Sequence, residues 1–226
     1  MNIQGFQKLT LLDFPGKVAC TLFAGGCNLR CPFCHNASLV NTPTLEGNMQ
    51  EEIMNYLSRR KGLLDGVCIT GGEPLLQPDL EAFIRGVREL GLLIKLDTNG
   101  SLPRRLKPLL EAGLVDYVAM DVKSSPAGYA RATGSEMPFS VFEESIGIIK
   151  ASGVAHEFRT TAVKGIHSVT DFEGISKLLG DVSYFIQRFV DSGNLLGEGC
   201  SAFSDEENGE ILRAVRRHTP RAELRG

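Results

Sequence analysis

An α/β fold built on a parallel sheet is what this sequence predicts, and three features predict it. Short β-branched or apolar runs alternate with amphipathic helical stretches about six times. Several of those runs are apolar almost throughout, as parallel strands covered on both faces require. Glycines fall where helix C-terminal caps belong, at Gly91, Gly113, Gly153 and Gly180.

The elements follow in order. Strands are predicted over 18–23, 66–70, 92–97, 117–121, 155–163 and 182–189. Between them lie helix starts with capping-box spacing, at Asn48 with Glu51, Ser140 with Glu143, Thr170 with Glu173 and Ser204 with Glu207. Over 80–90 the apolar positions Leu80, Phe83, Ile84, Val87 and Leu90 recur with helical period, so one face packs on the sheet. Irregular chain is expected over 36–47, 124–138 and 191–204, which are rich in Gly, Pro, Ser and Asn. Six units are fewer than the eight of a closed barrel, which leaves a partial (β/α)6 barrel or an open doubly wound sheet. In both, the ligand site lies at the carboxyl ends of the strands.

The 226 residues, 42% of them hydrophobic, suit one substantial core, so a single domain over 1–226 is expected, with a core at about 16–190 and an extension over 191–226. A formal net charge of −3 gives no field that favours nucleic acid or an anionic membrane. No apolar stretch approaches the ~18 residues of a membrane span, and the opening residues lack the apolar centre of a secretory signal, so a cytoplasmic protein is expected. Three of the six cysteines crowd into 27–34 while Cys20, Cys68 and Cys200 are scattered, a pattern of metal or redox chemistry rather than of disulfides. Cys20 and Cys68 fall mid-strand as small core residues; Cys200 reads as a surface thiol or an extra functional residue.

Chemistry concentrates where strands end. Gly25 and Gly26 lead into Cys27, Cys31 and Cys34, spaced C-x3-C-x2-C directly after the first predicted strand. Three thiolates can hold three irons of a [4Fe–4S] cluster and leave the fourth open to a ligand. A zinc site of the same three cysteines with His35 is the alternative, although structural zinc sites usually pair two separated half-sites. Gly71, Gly72 and Glu73 follow the second strand, where paired glycines permit either a plain turn or close backbone approach to a ligand. Asp97, Thr98 and Asn99 end the third strand; Asp121 and Lys123 end the fourth. Two carboxylates converging there would need a cation or polar ligand between them, unless Asp97 caps a turn and Asp121 pairs with Lys123 at the surface. His35 and His167 are isolated and read as structural. Gln187 either faces the site or fills the barrel. The basic residues Arg213, Arg216, Arg217, His218, Arg221 and Arg225 either complement a helix C-terminus or dock an acidic partner.

The cysteine spacing, with the aromatic Phe33 before the last cysteine, resembles the signature of the radical S-adenosylmethionine (SAM) superfamily. The Gly71-Gly72-Glu73 stretch resembles a motif of the same superfamily, and the Asp97-Thr98-Asn99-Gly100 and Asp121-Val122-Lys123 stretches resemble motifs of glycyl-radical-enzyme activating proteins. The residues Gly5–Lys8, Asp13–Lys17, Cys34-His35-Asn36 and Glu157–Thr161 are similar to the compact anaerobic ribonucleoside-triphosphate reductase activating proteins, a likeness spanning about 1–190. The resemblance implies a partial TIM-like barrel, one [4Fe–4S] cluster on Cys27, Cys31 and Cys34, and SAM chelating the open iron. It also implies SAM contacts from Phe33, Gly71, Gly72, Glu73, Asp97, Thr98, Asn99, Asp121, Lys123 and Arg159, and allows a monovalent cation beside them. The partners it implies are a glycyl radical enzyme and a flavodoxin or ferredoxin-type electron donor, with no nucleic acid and no membrane. No cysteine lies between Cys34 and Cys68, so no second cluster is expected. Short radical SAM enzymes acting on a small molecule, such as the 7-carboxy-7-deazaguanine synthases, share these features and remain the second expectation.

Overall fold

The computed structural model describes residues 1–42, 49–191 and 193–226. Its elements in order are β1 (Ile3–Thr10), β2 (Ala19–Ala24), α1 (Ala37–Val40), α2 (Met49–Arg59), β3 (Gly66–Gly71), α3 (Leu80–Glu89), β4 (Leu93–Thr98) and α4 (Pro103–Glu111). They continue with β5 (Tyr117–Asp121), α5 (Tyr129–Thr133), α6 (Phe139–Ala151), β6 (Ala155–Ala162), α7 (Val169–Leu179), β7 (Tyr184–Arg188), α8 (Asp205–Val215) and β8 (Ala222–Arg225). The eight strands form one sheet in sequence order, β1 antiparallel to β2 and every later neighbour parallel.

All six predicted strands are present, as β2 to β7. They form because their apolar residues are buried to completion: Leu22, Val67, Ile69, Ile94, Leu96, Val118 and Ile186 expose nothing. On α3, the buried residues Leu80, Phe83, Ile84 and Val87 make the stripe that the period predicted, each contributing roughly 1.5–3 kcal/mol relative to exposure. Two strands were not expected. β1 is a half-exposed edge strand whose pairing with β2 slips twice, at Ile3/Gly5 and Gln7/Thr10. β8, four residues long, adds a seventh parallel strand from the 191–226 extension, together with α8.

The caps sort unevenly. Ser204 and Glu207 form the capping box expected at α8. At α7 the box sits two residues earlier than Thr170 and Glu173: Ser168 caps the helix and Asp171 answers. At α6 the cap position is Pro138, with no side-chain bond, so Ser140 and Glu143 lie inside the helix. Asn48 lies outside the described residues. The stretch 124–138 is not wholly irregular, since it carries α5. The basic residues near α8 are engaged within the chain: Arg217 with Glu173, Arg221 with Asp181 and Arg225 with Glu157. Among the described residues, no helix is long and apolar enough to cross a membrane.

Candidate functional site

The carboxyl ends of the parallel strands open into one cleft of about 200 Å3. Cys27, Cys31, Phe33, Cys34, Gly71, Gly72, Asp97, Thr98, Asn99, Asp121, Lys123 and Arg159 all line it. Of the expected site residues only Glu73 does not. Thr161 and Gln187 also reach the cleft, so Gln187 faces the site.

The cysteine loop is shaped by its own backbone. Gly26 leaves β2 at φ +86°, a conformation open to glycine, and its N–H donates to Leu39 at 2.7 Å. The Arg30 amide donates to the Thr133 carbonyl at 2.7 Å, tying the loop to the end of α5. Leu29, Cys31 and Phe33 are buried, with Phe33 edge-on to His167, so hydrophobic burial anchors alternate residues of the loop. Burial pushes the Cys31 thiol up to about 12 and also raises Cys27. A metal would have to displace those protons. Among the described residues no three His, Cys, Asp or Glu side chains converge tightly enough to hold a single ion. In a cubane each thiolate takes a different iron, so such convergence is not required of them. His35 is turned aside, its Nε2 at 2.9 Å from the Val190 carbonyl and its ring stacked on Phe189.

The donor set therefore fits an iron–sulfur cluster. The Leu29 backbone amide points at the Cys27 sulfur at 3.5 Å and the Asn99 side-chain Nδ2 at 3.7 Å, donors of the kind that tune such sulfurs. Asn99 also donates to Asn28 at 3.1 Å, and Asn28 to Ser101 at 2.9 Å, so the end of β4 braces the cysteine loop.

The glycine pair has a structural cause. A Cβ on Gly72 would stand 2.1 Å from the Gly26 carbonyl oxygen, and one on Gly71 would meet Ala24 backbone at 2.5 Å. The Gly72 amide donates to Ala24 and the Glu73 amide to Gly26, both at 2.8 Å, which stitches the turn after β3 to the cysteine loop. Glu73 points away from the cleft. Its buried carboxylate accepts from the Leu75 amide at 3.0 Å, the Thr98 hydroxyl at 2.9 Å and the Asn99 amide at 2.7 Å.

A charged layer floors the cleft. Arg159 donates through Nε to Asp121 at 2.9 Å and through its two terminal nitrogens to Asp97 at 3.2 Å. Lys95, almost wholly buried, pairs with the other oxygen of Asp97. Lys123 bonds Asp121 at 3.0 Å. Burial alone would raise Asp121, but Arg159 and Lys123 outweigh it and hold the carboxyl well below the usual range. Burial would likewise lower Lys123, yet Asp121 beside it keeps the ammonium charged. Both bland alternatives are thus answered: the Asp121–Lys123 pair exists but inside the cleft, and Asp97 is gripped by two cations instead of capping a turn. His167 accepts from the Val163 amide at Nδ1 and bonds the Lys123 carbonyl at 2.7 Å through Nε2, a neutral ring consistent with its lowered pKa, caused by burial. It positions the backbone of Lys123, a structural role as expected.

Sequence reasoning missed Lys95, Tyr117 and Glu157, which lie one layer below. Cys68 lies there too, its sulfur 3.9 Å from both Asp97 and Lys95, so it is buried as expected but touches the charged layer. The readable signal was polar residues at alternate strand positions: Lys95 and Asp97 on β4, Glu157, Arg159 and Thr161 on β6.

Comparison with known proteins places this arrangement. The family pattern of the Radical SAM superfamily matches residues 21–178. A Methanocaldococcus jannaschii protein, provisionally described as a glycyl-radical enzyme activating enzyme, is 35% identical over 194 residues, 83% of this chain and 79% of its own. The pyruvate formate-lyase-activating enzyme of Clostridium pasteurianum is 33% identical over 139 residues, 59% of this chain and 57% of that one. A 7-carboxy-7-deazaguanine synthase of Hyperthermus butylicus is 40% identical over 91 residues, but these cover 40% of this chain and 38% of the synthase. Among solved structures, a radical SAM methyltransferase from Sphaerobacter thermophilus superposes with a TM-score of 0.74 at 15% identity, covering 96% of this chain and 68% of that one; the likeness is one of fold. The match over most of the parallel sheet, with the cysteine loop inside it, means that the chain belongs to the radical SAM superfamily.

Proposed function

We propose that the protein is a glycyl-radical-enzyme activating enzyme, with anaerobic ribonucleoside-triphosphate reductase as its partner. The observation that carries the chemistry is the placing of three thiols and a carboxylate–cation layer on the walls of one cleft. The activating role rests on the 35% identical relative, and the choice of reductase on the likeness of Gly5–Lys8, Asp13–Lys17, Cys34-His35-Asn36 and Glu157–Thr161 to its activators.

Family membership implies a [4Fe–4S] cluster and SAM. Bound there, the cluster and SAM would supply one-electron chemistry able to remove a hydrogen atom from a glycine of the partner. In this chain Cys27, Cys31 and Cys34 would hold the cluster, and Phe33 packs behind them. Lys123, kept charged by Asp121, suits the methionyl carboxylate. The backbone at Gly71 and Gly72 would hold the amino group, and Asp97, Thr98, Asn99, Asp121 and Arg159 would shape the rest of the SAM site. Glu73 acts from behind, by fixing the β3 and β4 ends together. A monovalent cation between Asp97 and Asp121 would have to displace Arg159 from that place. A glycine substrate would have to reach this cleft on a loop of the partner, and a flavodoxin or ferredoxin-type protein suits the electron supply.

The test is electron paramagnetic resonance of reduced protein mixed with SAM and an anaerobic ribonucleotide reductase. A glycyl radical signal on the reductase is expected. SAM cleavage without any such signal, on this and other glycyl radical enzymes, overturns the reading. The partial match to a 7-carboxy-7-deazaguanine synthase supports a second reading, and conversion of a pterin substrate by the purified protein would favour it.

A further inference from the structure

We infer that Arg225, on β8, is a positioning residue for the SAM site, an inference that rests on the proposed use of the cleft. Its guanidinium lies over the Phe185 ring and reaches Glu157 Oε2 at 3.1 Å. Glu157 is almost wholly buried beneath the charged layer. Its other contacts are the Tyr117 hydroxyl at 3.1 Å and, from Oε1, Arg159 at 3.9 Å.

A buried carboxylate binds whatever cation it can reach, because leaving it unpaired is costly. Two cations stand in reach of Glu157, and only Arg225 has closed on it. Arg159 spends its donors upward, on Asp97 and Asp121. Without Arg225, Glu157 would retain one neutral donor, and a shift of roughly 1 Å would bring Arg159 down from 3.9 Å to hydrogen-bond distance. That movement would withdraw the guanidinium from the cleft and loosen both aspartates. Arg225 thus keeps Arg159 at the level of the site by satisfying its competitor. Phe185 favours arginine here, since a planar guanidinium stacks on a ring where an ammonium does not.

The coupling has a signature that a merely structural role lacks: removing Glu157's charge should make Arg225 dispensable. In cluster-reconstituted protein, Arg225→Gln is expected to weaken SAM binding about tenfold, and Arg225→Gln with Glu157→Gln to return it to within about threefold of the unmodified chain. Metal-free protein gives a second readout, denaturant midpoints of the two single variants and the double, which are expected to be non-additive, with the double no less stable than Arg225→Gln. Unchanged binding in Arg225→Gln, or a double variant as weak as the single, overturns the inference. If the unmodified chain fails to bind SAM, the reading of the cleft falls instead, and the unfolding cycle alone decides the coupling: additive midpoints reject it and non-additive ones support it.

Discussion

Glu73 accepts three hydrogen bonds while fully buried, and the two effects oppose each other. Burial, the larger, pushes its carboxyl up to about 7 from 4.5, and the donors at Asn99, Leu75 and Thr98 moderate the rise. Because the folded value lies above the unfolded one, the contribution to stability is fully present below about 4.5 and is lost as pH rises through about 7. On the order of 3 kcal/mol is at stake across that window. Comparing unfolding of the protein and of Glu73→Gln between these pH values checks this. The unmodified chain should lose stability relative to the variant as pH rises, and parallel curves would contradict the account. In the sequence, Gly-Gly-Glu was legible as a strand end whose backbone approaches a ligand; that its carboxylate turns inward to bind the next strand end was not.

At the level of elements, the turn after β3 and the cysteine loop behave as one unit because their backbones touch. Gly72→Ala would put a methyl 2.1 Å from the Gly26 carbonyl oxygen, a clash that only backbone movement relieves. A loss of roughly 2–3 kcal/mol and much reduced iron uptake on reconstitution are expected. Gly26→Ala has nothing within 4 Å and suffers only its φ of +86°, a strain of about 1–2 kcal/mol. Denaturation and iron content of the two variants separate steric from conformational demands; equal losses would remove the case for a shared unit. The six strands β2 to β7 were legible because full burial writes itself as apolar runs. β1 and β8 were not, since an edge strand half in solvent and a four-residue strand of sequence Ala-Glu-Leu-Arg carry no such run. The α6 and α7 caps slipped because spacing alone cannot choose between neighbouring serines and threonines, and at α6 Pro138 takes the place.

Across the molecule, chemistry gathers at one end of the sheet because parallel strands all finish there. The cysteines were legible from spacing, Asp97, Asp121 and Lys123 from their position after apolar runs, and Arg159 only through the family resemblance. Lys95, Glu157 and Arg225 were not, since a charged residue within a strand becomes meaningful only when inward-facing positions are known. Arg225 illustrates this best: it lies in the sequence among basic residues that read as a helix terminus or a docking patch, while the sheet brings it to Glu157. The floor of the cleft is thus a property of the whole fold, and no single segment of sequence contains it.

The central claim is that Cys27, Cys31 and Cys34 leave one iron of a cluster open to SAM. Electron paramagnetic resonance of the reconstituted, reduced protein before and after SAM addition tests it directly. The account predicts about four irons per chain, a cluster spectrum that changes when SAM is added, and loss of both in Cys27→Ala, Cys31→Ala and Cys34→Ala. A spectrum indifferent to SAM, or a colourless protein holding zinc on the same cysteines, would contradict it.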